Sequence, residues 1–560
     1  MSKIFHAIYL PFLRYTLREA GHFLACESER MAMIRALRAE MGRGRNLLEI
    51  VQKHAMIDIG SNSIRLVIIG VDRDYFFKEL LNFKAVARLS NFIDENNNLS
   101  REGTSVLLTV LKRFQSIIER ERDVLVVDAF ATAAMRKAKN REAVLKLILE
   151  QTGLTVRLLS GIKEAYYGYY AIINSTFVED GISIDIGGGS TEVTMFKNRK
   201  LIHSHSFPFG AVTLYKTFYK NGDPNAGEKL EAYIKKAFSS FDWLCGNQLP
   251  IIGIGGTARN LARIDQLQEH YPMVGLHQYT IPRGRLDELT KKLASMTIEE
   301  RESMDGLSKD RADIILPASG VINMLVKMNH GDTFMLSGDG LREGVFYEWV
   351  LGQRGEERIP YVLNESLRQM RRNFNLDSNH TAYVKTLAFQ VLEGILVLLK
   401  EKVSDRRIAW LLSHSADLAY LGEFVNNESS SAQTFYLLTN ININGISHHD
   451  RLAVALVSSF KNRSNLIDFA KPFQQLVTKE ELRLYETLGA VLRLAHDFDR
   501  TKLHVVDRLS VKLTKKKQVQ ITAYYHNDAY FEEQAAQRHK KHLERALKTS
   551  VAIQFKNADE

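Results

Sequence analysis

The chain carries the same short pattern twice, and this repetition constrains its fold more than any other feature. An apolar segment ends in an aspartate, and glycine and small hydroxyl residues follow, at Asp58-Ile-Gly-Ser-Asn-Ser and at Asp185-Ile-Gly-Gly-Gly-Ser-Thr-Glu192. Glycine permits positive φ and close approach to the backbone, so the N–H groups of such a turn can surround an anion. One copy alone could be a tight structural turn. Two copies 127 positions apart predict two related subdomains whose turns face each other across a phosphate-binding cleft.

Further glycine turns follow apolar segments later in the chain. The third consists of Gly255, Gly256 and Thr257 after the apolar residues 250–254, where a helix N-terminus could bind an anion. A fourth lies within residues 334–344. Two α/β lobes with glycine turns after their strands are the pattern of the actin/Hsp70/sugar-kinase (ribonuclease H-like) superfold. A fold of this kind does not by itself specify a function.

Two charged residues between the repeated turns are candidates for the same site. Residues 124–130 are strongly β-prone and are expected to form a buried strand. Arg136 follows the carboxyl end of that strand, where α/β folds bind ligands, and it could pair with a phosphate. Glu164 lies in the first turn of a predicted helix. From the residues alone, an ordinary glutamate that stabilises the helix dipole is the favoured interpretation of Glu164.

Length and composition exclude several classes. A chain of 560 residues is too long for one core, so three or four domains are expected. Its two cysteines, Cys26 and Cys245, cannot build a disulfide framework, which suits a reducing cytoplasm. We expect no transmembrane segment, since no apolar run is judged to reach membrane-spanning length.

The net charge of +10 is concentrated at the two ends. Residues 1–53 carry nine basic and five acidic side chains, residues 501–560 carry twelve and seven, and the rest of the chain sums to +1. Basic ends attract nucleic acid, polyphosphate or an anionic membrane alike, so this charge identifies no partner. Residues 1–53 are interpreted as a dispensable extension, with an amphipathic helix for peripheral membrane or partner contact as the alternative.

Five motifs, in a characteristic order and spacing, carry a family resemblance. They are Asp58-Ile-Gly-Ser-Asn-Ser, Ser160-Gly-Ile-Lys-Glu164-Ala, Asp185-Ile-Gly-Gly-Gly-Ser-Thr-Glu192, Gly253-Ile-Gly-Gly-Thr and Leu341-Arg-Glu-Gly344. Over about residues 54–500 the chain resembles the exopolyphosphatase / guanosine pentaphosphate phosphohydrolase (Ppx/GppA) family, in particular a bacterial exopolyphosphatase of the long type. The resemblance implies a two-lobed α/β phosphatase module with subdomains at 54–177 and 178–352. A mainly α, HD-like domain at 358–498 and a small basic α+β domain at 501–556 are expected to follow.

The resemblance also implies roles for individual residues. Glu164 occupies the position of the family's catalytic glutamate and would orient and deprotonate the attacking water. Asp185 and Glu192 would hold Mg²⁺ or another divalent cation, with K⁺ as an optional further ion. The phosphate-binding set is expected to comprise Asn62, Ser63, Arg136, Gly187, Gly188, Gly189, Ser190, Thr191, Gly255, Gly256 and Thr257.

The helical domain departs from the His-Asp phosphohydrolases that it resembles. Ala419-Tyr420 stands where their His-Asp pair would be, and Ser431 and Gln433 replace two further histidines. Ser447-His448-His449-Asp450 keeps a remnant, but one such cluster is not a metal site without partners. The domain is therefore interpreted as a scaffold that contacts the polymer or forms a dimer.

The last segment alternates in the manner of two strands and continues into a helix, 530–549, and a short strand, 551–555. Its lysines have two interpretations: solvated surface, which is the default, or a track that guides polyphosphate to the cleft. Several weak contacts on one polymer reinforce each other, and such binding weakens with salt. The track would consist of Lys515, Lys516, Lys517, Lys540 and Lys541.

Three functions are compatible with these residues. The first is an exopolyphosphatase that releases terminal orthophosphate from inorganic polyphosphate. The second is a guanosine pentaphosphate 5′-phosphohydrolase of the stringent response, because one site can serve both substrates. The third is a non-catalytic polyphosphate or nucleotide sensor. In each case a cytoplasmic homodimer without a specific nucleic-acid partner is expected.

Overall fold

The computed structural model describes residues 49–399, 404–515 and 518–558. Most of the N-terminal extension, residues 1–48, therefore lies outside the described residues, as do Lys516 and Lys517 of the lysine track.

The first lobe is built on a five-stranded sheet in the order β3-β2-β1-β4-β5. The first three strands form an antiparallel meander, and β4 and β5 continue it in parallel. The strands are β1 Gln52–Ile59, β2 Ser63–Val71, β3 Phe77–Val86, β4 Val124–Ala131 and β5 Val156–Leu158. The helices of this part are α1 Arg101–Arg120, α2 Ala133–Lys137, α3 Arg141–Thr152 and α4 Gly161–Ser175.

The second lobe repeats this plan, as the duplicated motif predicts. Its sheet has the order β10-β11-β9-β6-β7-β8, again with an antiparallel meander beside parallel strands. The strands are β6 Gly181–Ile186, β7 Thr191–Lys197, β8 Lys200–Phe207, β9 Ile251–Ile254, β10 Thr280–Pro282 and β11 Thr333–Leu336. The helices are α5 Ala211–Leu214, α6 Ala226–Phe238, α7 Gly255–Gln268, α8 Arg283–Ser295, α9 Ile298–Glu302 and α10 Ile315–Asn329.

One expectation about β4 is wrong in part. The apolar sequence predicts a buried strand, yet Leu125 and Val127 in its first half are 69% and 41% exposed. The helices α1 and α3 share a core with the alternate residues of the sheet, so they cover one of its faces. Val127 pairs with Ala55 and therefore faces the same side as the buried Ala129 and Ala131, so this face of β4 is covered toward its carboxyl end and exposed near its amino end.

Two helices lie between the sheets and join the lobes. They are α4 and α11 Leu341–Arg354, and their side chains share one core with Met56 of β1 and Ile252 of β9. The helices cross where Gly344 approaches Tyr167: a Cβ on Gly344 would lie 2.1 Å from the Tyr167 carbonyl oxygen. Only a glycine permits this contact, which holds the two sheets and their aspartate turns at a defined separation.

The third part of the chain is mainly helical, as predicted. Its helices are α12 Val362–Asn373, α13 Ser378–Ile395, α14 Asp405–Ala416, α15 Ser430–Asn440, α16 His448–Ser458, α17 Arg463–Ala470 and α18 Lys479–Asp497. Among the described residues, the stretch Ser378–Leu398 is long and apolar enough to cross a membrane by length and composition, which corrects the expectation that no segment is. Its apolar side packs in the core of the helical part, through Val384, Leu387, Val391 and Ile395.

A small α+β unit follows. It consists of β12 Val506–Leu513, β13 Val519–Tyr525, α19 Tyr530–Leu547 and β14 Val551–Asn557. The strand β13 is central, antiparallel to β12 and parallel to β14. The unit packs on α13, where the Leu509 N–H donates to Gln390 Oε1 over 2.7 Å and Gly394 leaves room for Val511.

Candidate active site

The two aspartate turns meet between the lobes. Along β1, the side chains of Ala55, Ile57 and Ile59 enter the outer core, so Met56 and Asp58 face the opposite side, toward the other lobe. Along β6, alternation likewise places Asp185 opposite the core residues Ile182, Ile184 and Ile186. A Cβ on Gly188 would lie 3.1 Å from Ser61 Cβ, so the predicted pair of facing turns is present.

Asp185 and Glu192 form a pair of carboxylates, of which Glu192 is buried and Asp185 half-buried. They are directly opposite in the β6–β7 register, so their side chains share one face of the sheet. Burial, followed by the charge of Asp58, raises the pKa of Asp185 to about 6. Burial, followed by the charge of Asp185, raises the pKa of Glu192 to about 7, although Ser206 Oγ donates to Glu192 over 2.8 Å. Two neighbouring carboxylates whose charged forms are disfavoured suit a divalent cation, because oxygen donors are the ligands that Mg²⁺ prefers.

Glu164 lies at the start of α4 and is held by Arg136. Ser160 caps the helix, its side chain accepting from the Lys163 N–H over 3.2 Å, and this places Glu164 in the first turn. The Arg136 Nη1 donates both to Glu164 Oε1 and to the Leu159 carbonyl, the latter over 2.8 Å. The Nη2 atom lies 3.5 Å from Ser190 Oγ. Arg136 therefore spans the gap from the predicted base to the second glycine turn.

A glycine brings the start of α4 against the carboxylate pair. A Cβ on Gly161 would lie 2.3 Å from Ser206 Oγ, the same hydroxyl that donates to Glu192. Because no side chain fits there, the turn that carries Glu164 packs directly on the Ser206–Glu192 pair. The structure thus brings together Glu164, Arg136 and Glu192, three residues predicted from separate motifs.

The second glycine turn is rigidly held. Its Gly187 N–H donates to the Ser190 carbonyl over 3.0 Å, and a Cβ on the neighbouring Gly210 would meet Gly187 O at 2.5 Å. Lys137 Nζ donates to Gly189 O over 2.8 Å. A backbone fixed in this way can present its N–H groups to an anion without reorganisation.

Some predicted phosphate ligands have other surroundings. The Thr191 side chain is fully buried and donates to the Phe209 carbonyl over 2.8 Å, so its hydroxyl serves the lobe interior. Thr257 is likewise 1% exposed. In the first turn the Asn62 carbonyl accepts from Ala87 and Arg88, whereas Asn62 Nδ2 has no partner among the described residues. The Asn62 amide therefore has an unused donor, but this atom is buried in the structure.

The third glycine turn packs on the charged groups of the cleft. Gly255 has φ +82°, and a Cβ there would lie 2.6 Å from Asp185 Oδ1. A Cβ on Gly256 would lie 2.1 Å from an Arg311 nitrogen. These two glycines therefore position the Asp185 carboxylate and the Arg311 guanidinium rather than leaving an open loop.

Arg136 is the one cation of the cleft that the sequence motifs predicted, and several further cations of the cleft were not predicted. Burial lowers the pKa of Arg259 and of Arg311, while the charges of Arg311, Arg259 and Arg342 oppose the rise in the pKa of Asp185. A signal existed, since several of these cations follow a glycine turn by two to five positions. The missed cations are Arg65, Lys137, Arg259, Arg311 and Arg342.

The remnant His-Asp cluster of the helical part is engaged in packing. His448 Nε2 contacts the His277 carbonyl at 3.0 Å and its Nδ1 contacts the Tyr271 hydroxyl at 3.1 Å, so both ring nitrogens are occupied. His449 Nε2 pairs with Glu481 over 2.9 Å. At the other replaced positions Tyr420 packs on His496, and Ser431 Oγ donates to the Ser459 carbonyl.

Of the described track lysines, Lys515 and Lys541 are exposed and Lys540 is half-buried.

Known proteins match parts of the chain. The bifunctional 3-dehydroquinate synthase/phosphatase of Fusobacterium nucleatum is 25% identical over 326 residues, 54% of this chain and 48% of that protein, so the match spans about half of the relative's length. A crystal structure of the Aquifex aeolicus Ppx/GppA family member is 29% identical, with a TM-score of 0.48, and covers 54% of this chain and 98% of its own. An exopolyphosphatase structure from Cytophaga hutchinsonii is 25% identical, with a TM-score of 0.49 and the same coverage.

Two family models account for most of the chain. The model of domain III of the Ppx/GppA phosphatases matches residues 362–544, which include the helical part and much of the C-terminal unit. The model of the Ppx/GppA phosphatase family itself matches residues 67–353, which carry Glu164, Asp185 and Glu192. With more than half of its length matched and the facing glycine turns in place, the chain belongs to the Ppx/GppA phosphatase family.

Proposed function

We propose that this phosphatase is an exopolyphosphatase, which releases terminal orthophosphate from inorganic polyphosphate. The observation that carries the proposal is the Arg136 bridge, which links Glu164 to the second glycine turn beside the Asp185–Glu192 pair. A base, a cation site and a phosphate turn then surround one reacting phosphorus atom. Phosphoryl transfer needs this arrangement, because positioning and charge stabilisation supply most of its catalysis.

Glu164 is the general base of the proposed reaction. Its carboxylate accepts the proton of the attacking water, and the bond from Arg136 fixes its direction. The same guanidinium can bind an equatorial oxygen of the phosphoryl group. Arg259, Arg311 and Arg342 offset the charge of the polymer, which carries a negative charge on every phosphate.

Asp185 and Glu192 are the proposed ligands of Mg²⁺ or another divalent cation. The ion would supply charge neutralisation for the phosphoryl oxygens. Binding of the ion would also offset the electrostatic cost of these two neighbouring carboxylates, whose pKa values burial raises to about 6 and about 7. The carboxylate-only donor set favours a hard cation over a soft one. The expected K⁺ stays a prediction.

Guanosine pentaphosphate is the second proposed substrate. Its 5′ end presents the same terminal phosphoryl group on a phosphoanhydride, and the family of the matching model is named for both activities. The base, the cation pair and the arginines would serve it without change. The two substrates differ in the group attached behind the reacting phosphate, which is a polyanion in one case and a nucleoside in the other.

One experiment separates these functions. Phosphate release is measured with Mg²⁺ from long-chain polyphosphate and from guanosine pentaphosphate, using the full chain, Glu164→Gln and Glu142→Gln. Glu142 is the matched control, since it also lies in the first turn of a helix but is exposed, on α3. We expect polymer hydrolysis that falls at least about 1,000-fold in Glu164→Gln and is unchanged in Glu142→Gln.

Each other outcome contradicts part of the proposal. Preference for the nucleotide would make guanosine pentaphosphate the substrate. Full activity of Glu164→Gln would refute its role as base. Tight binding of polyphosphate without release of phosphate from either substrate would favour a sensor.

The lysine track is a further part of the proposal. Lys515 and Lys541 are exposed and could hold a polymer whose end reaches the cleft. We expect Lys540→Ala/Lys541→Ala to weaken turnover of long chains more than that of short ones, and the effect should fade at high salt. The matched control is Lys235→Ala/Lys236→Ala, an exposed lysine pair on α6. Equal loss on long and short chains would contradict the track.

The homodimer and the cytoplasmic location also stay predictions.

A further inference from the structure

Three metal-ligating side chains meet where the helical part joins the C-terminal unit. They are His380, Asp499 and His504, and their ligand atoms all lie within 4.8 Å of one another. None of them belongs to the phosphatase cleft or to the remnant cluster at residues 447–450. They come from the start of α13, the residues just after α18 and the connection to β12, so only the folded chain brings them together.

The carboxylate of Asp499 is the centre of the cluster. It is completely buried, and its Oδ2 lies 2.7 Å from His380 Nδ1 and 3.6 Å from His504 Nε2. Its Oδ1 accepts from the His504 backbone N–H over 2.8 Å. His380 is 8% exposed, whereas 37% of the His504 side chain is accessible. The cluster is thus buried on one side and open to solvent on the other.

Buried polar atoms without partners surround the cluster. His496 is 5% exposed, and its Nε2 has no hydrogen-bond partner among the described residues, while the nearest recorded carboxylate oxygen, Glu423 Oε1, lies 4.0 Å away. Its ring lies edge-on to that of His380, with centroids 5.2 Å apart. The Tyr383 hydroxyl also lacks a hydrogen-bond partner in the described part of the chain, although the Tyr383 ring stacks on His504 at 4.3 Å. Such atoms are rare in folded proteins and indicate a bound water or ion nearby.

The donor set selects a class of ion. Two imidazoles and one carboxylate suit a first-row divalent transition metal, whereas Mg²⁺ and Ca²⁺ prefer oxygen alone. Tetrahedral Zn²⁺, with bonds of about 2.0–2.2 Å, places its ligand atoms about 3.4 Å apart. The separation of 3.6 Å between Asp499 and His504 is close to this value, and the 2.7 Å hydrogen bond between Asp499 and His380 would have to lengthen by about 0.7 Å. Small side-chain shifts would therefore complete the site, with the fourth position open to solvent beside His504.

We propose that His380, Asp499 and His504 form a second metal site, which binds Zn²⁺ or a similar transition-metal ion. The site lies beside Tyr420, which packs on His496 with centroids 4.1 Å apart and occupies the position where a His-Asp pair would be expected. The ligands proposed here are a different set, and the His504 ligand comes from outside the helices.

The proposed ion fastens the C-terminal unit to the helical part. His504 lies just before β12, and β12 packs on α13, the helix that carries His380. A metal bond between the two therefore fixes the connection that positions α19 and its lysines. The role is structural and lies apart from the phosphoryl chemistry.

The test is a Co²⁺ titration of the chelator-treated full chain in excess Mg²⁺, which occupies the oxygen-only site. Tetrahedral Co²⁺ with nitrogen ligands gives a visible absorption band. We expect one such ion per chain, displaced by Zn²⁺, and an increase in Tm on Zn²⁺ addition. Loss of a residue that only orients a ligand weakens metal binding by about 10–100-fold, so removal of a ligand should cost at least about 100-fold.

The test variants replace His504 with residues chosen for its backbone conformation. Its φ is 56°, a left-handed conformation that asparagine tolerates, so His504→Asn removes the imidazole at little cost to folding. His504→Ala is the second variant, and circular dichroism verifies that both fold. The control is His449→Ala, which removes a histidine of similar exposure, 42%, that also has acidic neighbours. The proposed site would be refuted if the full chain showed no Co²⁺ absorption band. It would also be refuted if His504→Asn bound Co²⁺ as tightly as the full chain, or if His449→Ala alone lost the band.

Discussion

Neutralising Glu192 should stabilise the protein while abolishing its response to Mg²⁺. Glutamine has the same shape as glutamate and can still accept the bond from Ser206, so Glu192→Gln changes the charge and little else. Burial and the charge of Asp185 disfavour the Glu192 carboxylate in the folded chain. Removing that carboxylate removes an unfavourable contribution to folding at neutral and basic pH.

The size of the effect follows from the pKa difference. The unfolded chain releases this proton near the ordinary pKa of 4.5, and the folded chain near 7. Between these pH values the folded state binds more protons than the unfolded state, so stability falls as pH rises and is constant above about 7. A difference of about 2.5 pKa units corresponds to at most about 3 kcal/mol. For a lobe of this size that is a rise in Tm of at most about 6–12 °C.

The assay is thermal unfolding at pH 5 and pH 8, with and without Mg²⁺. Without Mg²⁺ we expect Glu192→Gln to exceed the natural chain in Tm at pH 8 and to approach it at pH 5. Added Mg²⁺ should raise the Tm of the natural chain at pH 8 and leave that of Glu192→Gln almost unchanged. Glu231→Gln, an exposed position on α6, controls for loss of one negative charge. A Glu192→Gln variant that is less stable at pH 8, or that gains as much from Mg²⁺, would refute the reasoning.

Two glycine substitutions test the packing around the cleft. Gly161→Ala should displace Ser206, whose hydroxyl would lie 2.3 Å from the new methyl group. We expect a lower kcat in a phosphate-release assay and a loss of stability of about 1–3 kcal/mol. An unchanged kcat would show that the start of α4 can move freely. Gly344→Ala should reduce the free energy of unfolding more than Gly161→Ala does, because its methyl group would lie 2.1 Å from the Tyr167 carbonyl oxygen in the backbone. Chemical denaturation should show a loss above about 3 kcal/mol. A Gly344→Ala variant as stable as the natural chain would contradict the close crossing of α4 and α11.

Much of the site was predictable because its parts are local. The turns at Asp58 and Asp185 need only a strand, a glycine and alternation of side chains, all of which are visible in a short stretch of sequence. The same holds for Glu164, whose place in a helix follows from the Ser160 cap. The position of Thr191 in its motif predicts a phosphate ligand, but its hydroxyl donates to Phe209 in the lobe interior. A motif does not reveal which of its side chains turn inward.

The sequence by itself determined the two-lobed fold, the carboxylates and the glycine turns, because each is a local pattern repeated along the chain. Only the tertiary structure decided which distant residues meet. It brought Arg311 onto Gly256, Arg136 between Glu164 and Ser190, and His504 onto Asp499. It also left Leu125 exposed on an apolar strand, since the fully buried β4 residues in the core with α1 and α3 are Ala129 and Ala131, near the carboxyl end of the strand. Such contacts depend on how helices and sheets pack, and packing depends on the whole chain at once.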